Sequence, residues 1–238
     1  MEYPRRPNSV DGENGMLTLQ GTTRRNLAIV FQILVASLAI SGLAVNFIIM
    51  PTLPARLNSF SYYTIQSNIL VAVAMLLSAL QMWTGREDGR GLMIFKNGAM
   101  LWILVTGIVY HLLLAGLWKF TGPMGYVNFS LHTATPVGMV LNWLLFEKKG
   151  RYRFDYILYW MTYPLAYLLF SWLRGWLTGI YPYWFLNPTS PYPKGAGSLG
   201  IMLGVVGVLV AGFIILELLV FMADRLLGRK QEDRIALI

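Results

Sequence analysis

The sequence predicts an all-α polytopic membrane protein: a bundle of six transmembrane helices, both termini cytoplasmic, with an aromatic outer cap between helices five and six. Three observations lead there. Of the 238 residues, 56% are hydrophobic and only 13% charged, about half the charge a soluble domain uses to cover its surface. Six stretches have the roughly 20 mainly apolar residues needed to cross a ~30 Å hydrocarbon core: 26–50, 62–83, 95–118, 127–146, 156–176 and 199–222. The basic residues are shared unequally between the two sides that these spans define, which sets an orientation.

The first span follows a polar tail, 1–25, that carries Arg5, Arg6, Arg24 and Arg25 and has no signal-peptide cleavage pattern. Spans two and three are joined by a charged turn holding Arg86 and Arg90, with Lys96 just beyond it. Lys148, Lys149, Arg151 and Arg153 follow the fourth span, and the tail 223–238 holds Arg225, Arg229, Lys230 and Arg234. These are fifteen of the nineteen basic residues. The opposite side has Arg56, Lys119, Arg174 and Lys194 alone. The net charge of +8 is therefore mostly a topology signal, and no nucleic-acid partner is expected. Residues 26–222 fill the chain with spans and leave no second domain. Cysteine is absent, which excludes disulfides, thiolate metal sites and a cysteine nucleophile.

The acids sharpen the contrast between the two ends. Glu2, Asp11, Glu13, Glu87, Asp88, Glu147, Asp155, Asp224, Glu232 and Asp233 fall on the cytoplasmic side, and Glu217 near the inner end of the sixth span. The outer half has no carboxylate. That excludes paired-carboxylate chemistry, carboxylate metal sites and a full Ser-His-Asp triad there. Four polar groups nevertheless share a depth band near the outer surface: Thr64, His111, His132 and Arg174. At 1.5 Å per residue the two histidines lie roughly 8–10 Å deep. Ionisable groups in a membrane are costly and point to function; any one of these alone reads more readily as a hydrogen bond between helices, whereas four at one level favour a site.

Thr64 falls in the first turn of the second span, in SYYTIQSN. There its hydroxyl is freer of the carbonyl four residues back, and unpaired first-turn N–H groups could stabilise an oxyanion. Asn68 lies at i+4 on the same face and is a candidate substrate or oxyanion contact. Tyr159, Tyr163, Tyr167, Ser171 and Arg174 form a stripe on the fifth span, either a hydrogen-bonded seam or a path ending in a cation for a lipid carboxylate. Arg174 reads equally as a side chain snorkelling to headgroups. The segment GWLTGIYPYWFLNPTSPYPKGAGSLG is too rich in proline for a regular helix. It reads as an ordered cap, with Tyr181 and Tyr183 as candidate substrate or oxyanion contacts, or as an aromatic belt.

The T of SYYTIQSN, the H of NFSLHTATP and the stretch LTGIYPYWFLN resemble the androgen-induced and androgen-dependent TFPI-regulating membrane protein family, particularly its prokaryotic branch. The resemblance implies a six-helix threonine hydrolase in a bacterial cytoplasmic membrane. Its substrates would be lipid esters such as fatty acid esters of hydroxy fatty acids, with Thr64 as nucleophile and His132 as base. No cofactor or metal is expected. Two other readings use the same residues. His111 and His132 could be axial ligands of one b-type haem, or the cavity could bind or transport lipid without catalysis.

Overall fold

Prolines and glycines punctuate this chain where its helices end. The computed structural model describes residues 9–117 and 119–236, with side chains over 21–117 and 119–230. Glu2, Arg5, Arg6 and Trp118 lie outside the described residues, as do the side chains of Asp11, Glu13, Glu232, Asp233 and Arg234.

Helix α1 (Ser9–Ile49) stops before the Met50-Pro51 pair, since a residue preceding proline is driven out of the helical region. A short helix that the sequence reading did not anticipate follows, α2 (Leu53–Ser59). Thr52 caps it by accepting the Ala55 N–H at 3.3 Å, with proline in the first turn. Helix α3 (Tyr63–Trp83) and helix α4 (Arg90–Val109) come next, and α4 runs on through a π-turn, Tyr110–Leu114. Helix α5 (Gly122–Phe129), a second π-turn (Ser130–Ala134) and helix α6 (Thr135–Phe146) form one unbroken rod. Helix α7 (Tyr156–Thr178) ends at Gly179, whose φ of 70° is the left-handed conformation that glycine supplies at a helix end. A 3-10 turn (Trp184–Leu186) leads to helix α8 (Leu199–Ala236).

The fold is all-helical, without a strand among the described residues. Four helical stretches are long and apolar enough to cross a membrane: Gly21–Ile49, Tyr63–Trp83, Arg90–Leu114 and Leu199–Lys230. The expected fourth and fifth spans are helical too, but less apolar or less regular. The π-turn divides the fourth, while Tyr159, Tyr163, Pro164, Tyr167 and Arg174 dilute the fifth. Helix α8 continues through most of the segment expected to be a tail.

Helix α3 packs between α1 and α4, α1 also meets α5 and α6, and α8 rests on α4, α7 and the 3-10 turn. Leu27, Leu34, Ile48, Leu158, Leu169 and Val208 face outward, whereas Gln32, Ser67, Asn68, Thr106, Ser130 and Asn142 are buried. A water-soluble bundle does the reverse. An apolar exterior around polar contacts between helices is the pattern that a lipid solvent selects.

Two prolines shape the interior. Pro164 has no N–H for the carbonyl of Trp160 four residues back, and the Trp102 indole donates to that carbonyl instead at 2.8 Å. Pro136 likewise has no N–H for the carbonyl of His132. The chain ahead of it widens into the π-turn, in which the Thr135 N–H reaches back to Ser130. That leaves the Leu131 carbonyl without a helical donor, and the Asn68 amide supplies one at 3.1 Å.

Candidate active site

The widened turn aims His132 at the first turn of α3. Thr64 Oγ1 and His132 Nε2 lie 3.2 Å apart, within the reach that a base needs for the proton it removes. His132 Nδ1 lies 3.2 Å from the Asn128 carbonyl. A carbonyl only accepts, so Nδ1 carries the hydrogen and Nε2 is left to accept from the threonine. With no carboxylate available, a backbone carbonyl orients this imidazole, and the Tyr110 ring stacks on it at 4.1 Å. Gly107 stands against the turn: a Cβ there would lie 3.0 Å from the His132 carbonyl oxygen.

The first-turn N–H groups are not free, contrary to expectation. The Tyr63 N–H donates to the Tyr167 hydroxyl at 3.1 Å, and the Thr64 N–H to the Tyr183 hydroxyl at 3.3 Å. The Tyr62 carbonyl accepts the next two. The aromatic side chains that crowd this helix end have taken up its orphan donors. Thr64 Oγ1 itself has no backbone acceptor among its hydrogen bonds. Its second neighbour is the Tyr183 hydroxyl at 3.5 Å.

Tyr183 thus becomes the central residue of the cap. Its oxygen accepts from Thr64 N–H, so its own hydrogen remains available to a third group. Burial pushes this phenol up to about 12, well above the ordinary ~10, and keeps that hydrogen in place. Phe185 and Leu186 anchor the segment against Tyr167 and Val206, and the Asn187 carbonyl accepts from the Ala196 N–H at 2.7 Å. The cap is ordered and reaches the threonine.

The remaining candidates sit elsewhere. Asn68 was a candidate oxyanion contact, but its amide donates to the carbonyls of Thr64 at 2.8 Å and Leu131 at 3.1 Å. It splints the two halves of the dyad rather than facing a substrate. His111 is exposed and meets Thr133 Oγ1 at 3.1 Å. With Tyr110 packed on both rings and each Nε2 on a different threonine, the two histidines do not face one iron site. Arg174 does not join Thr64 either: it donates to Asn58 Oδ1 and to the Ile180 carbonyl, tying α7 to α2. The Tyr181 ring lies over Gly175 on α7, where a Cβ would collide with it.

Two cavities meet at the dyad. One, about 90 Å³, is walled by Val105, Val109, Leu168, Leu209, Val210 and Phe213 from α4, α7 and α8. The other, about 490 Å³, is a more polar mouth that includes Asn46, Asn58, Asn128, His132 and Lys194. Thr64, Tyr110, Leu114 and Tyr183 line both. Among the described residues no three His, Asp or Glu side chains come together to hold a metal. Compared with family models, curated proteins and solved structures, the chain matches none.

Proposed function

We propose that this protein is a membrane-embedded threonine hydrolase that cleaves lipid esters with a Thr64–His132 dyad. The observation that carries the reading is the 3.2 Å approach of Thr64 Oγ1 to His132 Nε2 at the junction of an apolar slot and a polar mouth. A structural threonine–histidine bond needs neither cavity.

In this reading His132 Nε2 takes the Thr64 proton as Oγ1 bonds to the acyl carbon, whose oxygen gains the negative charge. The Tyr183 hydroxyl donates to that oxygen, replacing the backbone N–H groups that serve this role in many acyl-transfer sites. The intermediate collapses, the C–O bond to the leaving alcohol breaks, and His132 returns its proton to the alkoxide. Water then attacks the acyl-threonine as His132 takes its proton, the bond from the acyl carbon to Thr64 Oγ1 breaks, and His132 returns the proton to Oγ1. The products are a carboxylic acid and free Thr64. The first carbons of the acyl chain occupy the apolar slot and the leaving alcohol lies in the mouth.

The chain crosses the bilayer six times in this reading, with both termini cytoplasmic. The expected fourth and fifth spans are helical, and fifteen of nineteen basic residues lie on one side of the resulting topology. The resemblance to threonine hydrolases of the androgen-induced family agrees with the roles of Thr64 and His132. A fluorophosphonate probe should label the wild type and leave Thr64→Ala and His132→Ala unlabelled. Labelling that survives Thr64→Ala removes the nucleophile assignment. A non-catalytic lipid binder would share the slot but remain unlabelled throughout.

A further inference from the structure

A second cavity, about 440 Å³, lies at the end of the bundle away from the dyad, between α1, the α3–α4 turn and the segment after α6. Six cations line it: Arg24, Arg25, Arg86, Lys96, Lys148 and Arg151, against three acids, Glu87, Asp88 and Glu147. The acids are already matched. Lys96, only 3% exposed, pairs with Asp88 and with Glu147 at 3.2 Å, and Ser78 adds a contact to it. Lys148 meets Glu87 at 2.5 Å and Arg151 reaches it at 4.0 Å. The Lys148 ammonium holds the Glu87 carboxyl below its ordinary range, so that charge stays committed to the pair.

This leaves Arg24, Arg25 and Arg86 without an acidic partner among the described residues, on two separate elements facing one space. Arg24 spends one N–H on the Leu145 carbonyl at 3.2 Å, which fixes its guanidinium at the rim. Arginines crowded together repel each other unless an anion joins them. Guanidinium forks match the oxygens of phosphate, and basic pockets between membrane helices are where anionic headgroups settle. We infer that this cavity binds a phosphate group, that of an anionic phospholipid headgroup, with Arg24, Arg25 and Arg86 as its ligands. The inference does not depend on the hydrolase reading.

Full-length protein in a neutral detergent, at fixed ionic strength, tests it. Its thermal midpoint is measured against added phosphatidylglycerol, phosphatidylcholine and inorganic phosphate, and co-purifying phospholipid is identified by mass spectrometry. Phosphatidylglycerol should raise the midpoint at about tenfold lower concentration than phosphatidylcholine, and it should co-purify. Arg25→Gln/Arg86→Gln should abolish both effects. Arg229→Gln/Lys230→Gln removes the same charge from exposed positions at the same end and should retain them. Equal response to the two lipids overturns the proposal, as does equal loss in the two double variants. A midpoint raised by inorganic phosphate, with nothing further from phosphatidylglycerol, keeps the phosphate site but overturns the lipid as its source. The midpoint of neither double variant without lipid should fall below that of the wild type, which separates lost binding from lost folding.

Discussion

Replacing Asn68 by alanine tests whether the dyad is held together by the splint that the structure shows. The side chain is fully buried, and its amide bonds the carbonyls of Thr64 and Leu131 at 2.8 and 3.1 Å. The Thr64 carbonyl has a second donor in Ser67 Oγ at 3.2 Å. The Leu131 carbonyl has lost its helical donor to the π-turn, so it becomes the unsatisfied group. Leaving one buried acceptor unpaired costs about 1–3 kcal/mol, and the substitution adds a small cavity. Asn68 Oδ1 is itself buried without a hydrogen-bond partner, and its removal offsets part of this cost, so about 1–2 kcal/mol is the order expected. The turn can recover part of it by moving His132 away from Thr64, and a displacement of ~1 Å at a reacting pair costs about a hundredfold in rate. Asn68→Ala should therefore lower both the thermal midpoint and the second-order rate of fluorophosphonate labelling, the latter by roughly two orders of magnitude. The informative quantity is the labelling rate of the protein still folded at the assay temperature. A folded Asn68→Ala protein that labels within about threefold of wild type would show that the splint does not position the dyad.

Other substitutions probe the remaining contacts. Tyr183→Phe keeps ring packing against Tyr62 and Phe185 but removes the proposed oxyanion donor. It should lower kcat by about 10²–10³ with little change in KM, and an unchanged kcat would assign the role elsewhere. Burial holds the Tyr183 phenol up near 12, so the donating, protonated form persists as pH rises past ~10, where an ordinary tyrosine ionises. A wild-type alkaline limb centred near pH 10 would contradict its role. Gly107→Ala places a Cβ 3.0 Å from the His132 carbonyl oxygen and 3.3 Å from Pro136 Cγ, and should slow labelling more than it lowers stability. Phe213→Ala deepens the apolar slot and should shift preference towards longer acyl chains by tenfold or more per competing pair. An unaltered chain-length profile would place the acyl group elsewhere.

The resemblance singles out Thr64 and His132, and their shared depth was legible because depth along neighbouring spans follows directly from residue number. Rotation about each helix axis does not. Arg174 shares the depth band yet points towards Asn58 on α2, a helix hidden by its short length and the prolines around it. His111 is displaced for a similar reason, because the π-turn at Tyr110–Leu114 rotates it to an exposed position. The free N–H groups were expected from helix geometry alone. Tyrosines distant in sequence occupy them, a choice made by packing. The reach of Tyr183 to Thr64 depends on the path of an irregular segment for which periodicity offers no guide. A proline four residues after the proposed base, in HTATP, announces that the histidine's own carbonyl has lost its helical donor.

The donor missing at the Leu131 carbonyl, which Asn68 replaces, links the fold to the candidate site. A regular helix through His132 would satisfy every backbone group and leave Asn68 a buried amide with little to bond. Pro136 breaks the pattern, the turn widens, and a side chain on α3 must supply the donor that the helix has lost. Because that side chain also holds the Thr64 carbonyl, the repair couples Thr64 to the turn that carries His132 through two hydrogen bonds. Pro164 shows the same logic without the chemistry: the Trp160 carbonyl it frees is taken by Trp102, and α4 is tied to α7. In an interior with no water to fill such gaps, each disrupted helical turn requires a partner on another helix. Asn68 and Trp102 therefore mark two places where a neighbouring helix departs from regularity. The departure at His132 is the one that opens onto both a slot and a mouth.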